Sequence, residues 1–307
     1  MVATLRAVGH AFETPARRLK QLNDPNEYSG GDVGLHEWMI DFGTHGVWAR
    51  ASMISPEQAQ QIEKLGYGTI WLGGSPPSLS PARELLEATD SICLATGITS
   101  IWNTDPAEIA EEFRALEDDF PGRFLLGIGV SHPEAIDEYQ SPYDSLVTYL
   151  DGLDAGGVPV DRRVIAALGP RMLRLARDRS FGSHPYLVPA AHSAYARKIL
   201  GPGKFLAPEH TVMLTEDVEL ARSVGRPFVD QPYLHLQNYS NNLKRLGYTD
   251  ADIADGGTDE LIDALVAHGS VAAVREQLAA HVGQGADHVA IRVLGDVDIV
   301  EVLSQLI

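Results

Sequence analysis

The chain has 307 residues, 44% apolar and 21% charged, the balance of an ordinary globular protein that can bury a large core without staples. Its 24 basic side chains face 42 acidic ones, a net charge of −18, so the mean field repels nucleic acid and anionic membrane. An anionic ligand must therefore be held locally, by backbone N–H groups or a few arginines.

Residues 1–40 are polar, glycine-rich and aperiodic, with LNDPNEYSGGD at their centre. They read as an arm outside the core, and residues 41–307 as one domain. From residue 44 short β-branched runs alternate with helical patterns. The runs are His45–Ala49, Gly68–Leu72, Ser91–Ile98, Arg123–Gly129, Arg163–Leu168, Phe181–Val188, His210–Thr215 and Asp287–Leu294. Eight is the count of a closed parallel barrel, and continuous apolar runs suit strands covered on both faces.

The helical stretches carry matching punctuation. Ser55-Pro56-Glu57 supplies an N-cap and a first-position proline, with Ala59, Ile62 and Leu65 on one face. Asp105-Pro106-Ala107-Glu108 has the form of a capping box, and Ser270 opens a later helix. Leu65-Gly66 and Gln284-Gly285 read as glycine C-caps leading into strands. Two stretches interrupt the rhythm. Residues 142–161, after strand four, hold one helical piece. Residues 216–283, around strands seven and eight, hold several. The expected fold is thus an α/β, (β/α)₈ TIM barrel with two insertions. A doubly wound sheet would want G-x-G-x-x-G after the first strand, where Arg50-Ala51-Ser52-Met53-Ile54 has no glycine.

Cys93, the only cysteine, lies in the apolar run Ile92-Cys93-Leu94. An intrachain disulfide and a four-cysteine zinc site are excluded, and a buried small hydrophobe is expected. No apolar stretch approaches the roughly 18 residues of a membrane span, and no apolar signal core is visible near the start. A cytoplasmic protein without membrane or nucleic-acid partners is expected.

A barrel builds its site from the C-terminal strand ends. Here these are Trp48-Ala49-Arg50, Trp71-Leu72-Gly73-Gly74-Ser75, Gly97 to Asn103, Gly129-Val130-Ser131-His132, Ala166-Ala167-Leu168-Gly169 and Gly182-Ser183-His184. They are rich in Gly, Ala and Ser and flanked by Trp48, Trp71 and Trp102. There is no H-x-H, no cluster of carboxylates for a metal and no G-x-S-x-G elbow. Nor is there a convincing pair of acids for glycoside hydrolysis. Tips so bare of reactive groups point to a flat redox cofactor that carries the chemistry. The backbone of Ala167-Leu168-Gly169, leading into the helix from Arg171, is a candidate phosphate cradle. Arg171 in that first turn opposes the helix dipole, which points to an anion contact. His288 and His45, at the opposite end of the barrel, are expected to be structural.

At these tips the sequence resembles the bacterial luciferase-like family, most nearly the oxidoreductases that use the deazaflavin coenzyme F420. The resemblance rests on GVW at 46–48, LGYGTIWLGG at 65–74, LATGITSIWNTDPAEIA at 94–110, PGRFLLGIGVSHP at 121–133, RRVIAALGPRMLRLA at 162–176, FGSHPYLV at 181–188, NYSNNLKRLGY at 238–248 and DELIDALVAHG at 259–269. It implies a (β/α)₈ barrel paired as a homodimer. It implies a non-proline cis peptide at Gly97-Ile98 against the cofactor ring. It also implies phosphate contacts from Ala167, Leu168 and Gly169 and from Gly182, Ser183 and His184. Gly129, Val130 and Ser131 would adjoin the cofactor, and Trp48, Trp71, Ser75 and Trp102 the substrate. No metal is implied.

The chain also departs from the family's sugar-phosphate oxidisers. Where those carry S-D-H after strand two and a glutamate after strand four, it has Gly73-Gly74-Ser75 and His132. His132 is therefore the expected proton donor or acceptor, a task suited to a side chain that titrates near neutrality. The expected activity is hydride transfer between F420 and a small organic substrate. The alternatives are an FMN-dependent monooxygenase of the same family, and a barrel that binds a flavin or deazaflavin without turnover.

Overall fold

The computed structural model describes residues 40–130 and 141–307. Among the described residues eleven strands form one all-parallel sheet: β1 (His45–Arg50), β2 (Thr69–Gly73), β3 (Cys93–Thr96), β4 (Thr99–Ser100), β5 (Phe124–Gly129), β6 (Arg163–Ile165), β7 (Gly182–Ser183), β8 (Phe205–Leu206), β9 (Glu209–Met213), β10 (Val266–His268) and β11 (Val289–Val293). The helices that matter to the site are α1 (Pro56–Leu65), α2 (Ser80–Ala88), α3 (Pro106–Asp119), α4 (Pro142–Ala155), α5 (Pro170–Arg179), α6 (Ala190–Leu200), α7 (Val218–Asp230), α8 (Gln237–Arg245), α9 (Asp250–Ile253), α10 (Asp259–Leu265), α11 (Val271–Gly283) and α12 (Ile299–Leu306).

The sheet closes on itself. β8 and β9 are one strand position interrupted at Ala207-Pro208. On one side it meets strand six: the Ala207 N–H donates to Ser183 O (2.9 Å) and the Glu209 N–H to Pro185 O (2.8 Å). On the other it meets strand eight: the Ala290 N–H donates to Pro208 O (2.9 Å) and the Asp287 N–H to Leu206 O (2.9 Å). β11 pairs with β1 from His45↔Val289 onward, which completes a ring of eight positions. This is the expected (β/α)₈ barrel.

The helix starts follow the expected chemistry. Ser55 and Gln58 form a reciprocal capping box on α1, and Ser270 accepts from the N–H of Ala273; Asp105 accepts from the N–H groups of Ala107 and Glu108 as an N-cap, without the return bond of the expected box. Gly66 ends α1 at φ +92, a left-handed cap that glycine takes at least cost. β2, β3 and β5 are buried along their whole length, as both faces are covered.

Strand residues alternate between the inside of the ring and the helix layer. Trp71, Ala95, Leu125, Val164, Ala207 and Ala290 form the inner cluster. A larger outer cluster packs strands against helices, and a third, with Leu168, Val229, Leu234, Leu243 and Leu261, seats the insertion of residues 216–265.

Three details differ from expectation. The third run is not continuous: it breaks at Gly97-Ile98, after which β4 pairs with β5. The seventh run begins earlier, at Phe205, and is interrupted where Pro208 has no N–H to give the ladder. Val266–His268 leaves the helical pattern after Leu265 and adds a strand beside β9, with Val266 opposite Thr211.

Candidate active site

The broken third strand sets the floor. The Gly97-Ile98 peptide is cis, and both residues are partly exposed. The Trp48 indole N–H donates to Gly97 O at 3.0 Å, fixing the ring beside this bulge. Val130, Ala166 and Gly169, at the tips of positions four and five, are also partly exposed. Among the described residues the accessible floor is thus backbone and aliphatic carbon, with no titratable group on it.

The glycines of the tips are small mainly for the protein's own packing. A Cβ on Gly73 would run into the Trp48 ring, one on Gly127 into Thr96 O and one on Gly182 into Phe205 O. A Cβ on Gly97 would lie 2.9 Å from Trp48 Nε1 and 3.0 Å from His184 Nε2. Gly129 is buried, and its Cβ would meet Ala166 and Ile98 at 3.1 Å.

Below the floor lies a stack of rings. Trp71 is fully buried and stacks on His184, with centroids 4.0 Å apart and planes 11° apart. Its indole N–H donates to His288 Nε2 at 3.0 Å. A carbonyl can only accept, so His288 Nδ1 carries a proton for Gly43 O (2.8 Å) and His184 Nδ1 one for Ala207 O (2.6 Å). Burial holds both imidazoles neutral, His184 pushed down to about 4 and His288 to about 3. Among the described residues His184 Nε2 is then a lone-pair acceptor with no partner, and Thr99 Oγ1, next to Ile98, also has none.

This geometry relocates several expected contacts. Trp71, expected at the substrate rim, instead fills the ring interior, because its face points inward between Ala95 and Trp48. Gly182, Ser183 and His184 are also enclosed: Ser183 Oγ–H donates to Ile165 O (3.0 Å), and His184 is 1% exposed. Ala167 and Leu168 are buried, whereas Gly169 is partly exposed and is the N-cap residue of α5. Among the described residues no side chain caps that end; Pro170 has no N–H and the Leu173 N–H donates to Gly169 O, so the open groups are the N–H of Arg171 and Met172. Arg171 is not free for an anion: it lies 3.7 Å from Asp144 and 3.6 Å over the Tyr143 ring. Trp48 is 6% exposed at the mouth, Ser75 is partly exposed at φ +48, and Trp102 lines a cleft against Asp144, Thr148 and Tyr149 of α4. Ser131 and His132 lie outside the described residues. Cys93 is buried as expected, its thiol pushed up to about 12 by burial, so it is no nucleophile at neutral pH.

Sequence reasoning missed the opposite wall. Arg292, on the inner face of β11, sits 4.8 Å from the Trp48 ring centroid and 4.3 Å from that of Phe228 on α7. It donates to the Tyr186 hydroxyl. Tyr186 in turn packs on Trp48 at 5.2 Å and on Tyr233 at 5.5 Å. Glu209, fully buried, accepts from the Leu187 N–H (2.8 Å) and the Thr211 hydroxyl (2.6 Å). Burial raises its carboxyl above the usual range, against the pull of Arg292 and these two donors. The available signal was Arg292 inside the apolar run Val289–Val293, where a covered strand has little reason to carry a charge; Glu209 stands in the mixed stretch Pro208–Val212 and had no such signal.

Residues 55–151 match the model of the luciferase-like monooxygenase family. That stretch spans α1 to α4 and bears out the resemblance drawn from the sequence. Solved structures agree on the fold. One is an F420-dependent secondary alcohol dehydrogenase in complex with an F420–acetone adduct, 15% identical, covering 86% of this chain and 98% of that one at a TM-score of 0.65. Another is the FMN-bound oxygenating constituent of 3,6-diketocamphane monooxygenase from Pseudomonas putida, a type II Baeyer–Villiger enzyme. It is 15% identical, with 85% and 96% covered and a TM-score of 0.63. A third is the F420-dependent tetrahydromethanopterin reductase of Methanopyrus kandleri, 15% identical, with 86% and 96% covered and a TM-score of 0.57. No curated protein sequence matches the chain. Among the described residues no group of His, Cys, Asp and Glu could hold a metal ion, and no helix is long and apolar enough to cross a membrane.

Proposed function

We propose that the chain is a luciferase-like oxidoreductase that binds F420 across the tips of positions three to five and moves hydride to or from a small organic substrate. The observation that carries this is the floor itself. Gly97, Ile98, Val130, Ala166 and Gly169 are accessible, and none can act as acid, base or nucleophile. The residues suit such a guest. A planar ring can lie on this neutral floor beside Trp48, and the open N-terminus of α5 can receive a phosphate. His184 Nε2 and Thr99 Oγ1, neither with a partner among the described residues, lie buried beside the bulge.

When bound, the deazaflavin supplies the two-electron chemistry. The chain's own residues do the rest. Trp48, pinned by Gly97 O, forms one side of the cleft. Tyr186 and Arg292, packed against Trp48, belong to that same side. His132, from the segment outside the described residues, holds or delivers the proton at the substrate oxygen. The second reading is an FMN-dependent monooxygenase on the same floor, favoured by the FMN complex among the structural relatives.

Fluorescence titration of the purified chain with F420 and with FMN separates the two. Tight binding of F420 alone, followed by reduction or oxidation of a carbonyl–alcohol panel, is the expected result. Binding of FMN alone, with oxygen uptake, would replace this reading by the second. His132→Ala should slow turnover 100-fold or more, an order of magnitude typical of general acid–base groups at about 10²–10⁴, while F420 affinity stays unchanged. Undiminished turnover removes His132 from the mechanism.

A further inference from the structure

We propose that Arg292 is the recognition residue for an anionic oxygen group, a carboxylate or phosphate, on the substrate. Calling that ligand the substrate rests on the function proposed above; the anion site itself does not.

Arg292 is held in place but not neutralised. A guanidinium has five N–H donors in a fixed fork. Among the described residues only the Tyr186 hydroxyl accepts from it, and no carboxylate lies within ion-pair distance. Arg163, Arg179, Arg197 and Arg222 by contrast each have an acidic partner, and Arg114 and Arg123, which have none, are satisfied by backbone carbonyls. Glu209 exerts a field on Arg292, but its two oxygens are committed to Leu187 N–H and Thr211 Oγ–H. Trp48, Phe228 and Tyr186 surround the cation with ring faces that fix its stem and offer it no charge. A partly exposed cation walled by rings meets an arriving anion in a low local dielectric, where the pairing is strong.

Two further placements point to the substrate rather than the cofactor. Positions eight and one are neighbours in the ring and stand opposite positions four and five, where the phosphate cradle lies. Arg50, two residues beyond Trp48 on the same strand face, is exposed and makes no ion pair among the described residues. It adds a second positive charge on that side of the rim, which draws anions toward Arg292 against the overall charge of −18.

The test is calorimetric titration of the full chain with benzoate, with inorganic phosphate and with neutral benzamide. At least one anion is expected to bind, with benzamide at least 10-fold weaker than benzoate. Arg292→Met should weaken anion binding at least 10-fold. Arg292→Lys, which keeps the charge and most of the stem, guards against misfolding. It should retain the wild-type near-ultraviolet circular dichroism yet weaken binding about 10-fold, because an ammonium cannot present the fork. No binding of either anion, equal binding of benzamide, or unchanged affinity in either variant overturns the proposal. A titration of Arg292→Lys with F420 separates the two anion sources. An unchanged dissociation constant assigns the site to the substrate, and a loss matching that for benzoate reassigns it to the cofactor's tail and overturns the proposal. If wild-type chain binds benzoate but neither F420 nor FMN, the functional reading fails and the anion site stands.

Discussion

Gly73 shows how one atom decides the mouth of the barrel. It lies opposite Arg50 in the β1–β2 ladder, and the Trp48 ring lies flat where its Cβ would be. Gly73→Ala must therefore push Trp48 off Gly97 O or bend the strand. A cost of about 2 kcal/mol is expected, within the range for overpacking a filled core, together with a red shift of tryptophan emission as Trp48 becomes wetter. Urea unfolding with fluorescence detection checks both, and an unshifted midpoint would show that the mouth yields freely. The glycine was visible in the sequence; its reason was not. Its backbone could as well have faced a ligand, and only the inward turn of Trp48 settles the matter. Trp71 teaches the same lesson. Strand alternation puts it on the inner face, but whether an inner residue lines the mouth or plugs the ring depends on how far along the strand the floor sits.

At the scale of elements, β9 carries the sharpest contrast between its two faces. Glu209 and Thr211 point into the ring, and His210 points out against α6 and α11. There His281 Nε2 and His210 Nδ1 share a hydrogen bond of 2.9 Å, and Ser193 Oγ meets His281 Nδ1 at 2.8 Å. His192, beside them, meets Asn242 of α8 at 3.1 Å. Burial keeps His192 and His210 down at about 4, and His281 well below its usual value, where the other two histidines add to the effect. With folded pKa values depressed, the unfolded chain binds more protons, so stability is full above pH 6.5 and is lost as pH falls toward 4. At pH 5 each such histidine costs about 2 kcal/mol. The urea midpoint should fall steeply between pH 7 and pH 5, and His210→Gln should flatten that dependence. A flat profile in the wild type would mean that these rings take up protons in the folded chain as readily as in the unfolded one. The helices and their caps were legible because capping is local. The packing of three histidines between a strand and two helices was not, since their residues lie up to 89 positions apart in the chain.

For the molecule as a whole, ring closure matters most. It brings positions eight and one together and so sets Arg292 against Trp48, 244 residues away in the sequence. F420 bound to the native ring alone should stabilise it by about 2.7 kcal/mol at 100 times its dissociation constant. Differential scanning fluorimetry should show a rise of several degrees with F420 and none with FMN. A rise with FMN alone favours the monooxygenase reading.

The sequence by itself determined the rhythm of eight strands, most helix starts and the scarcity of reactive groups at the tips. Those features follow from local periodicity, capping and composition, each readable within about ten residues. Only the tertiary structure decided which tip residues face open space and which are consumed by the ring. Depth along the inner face is fixed by how side chains from distant strands fill one shared interior, and no single strand records it. For the same reason Arg292, Tyr186 and Glu209 became a site only when the barrel closed.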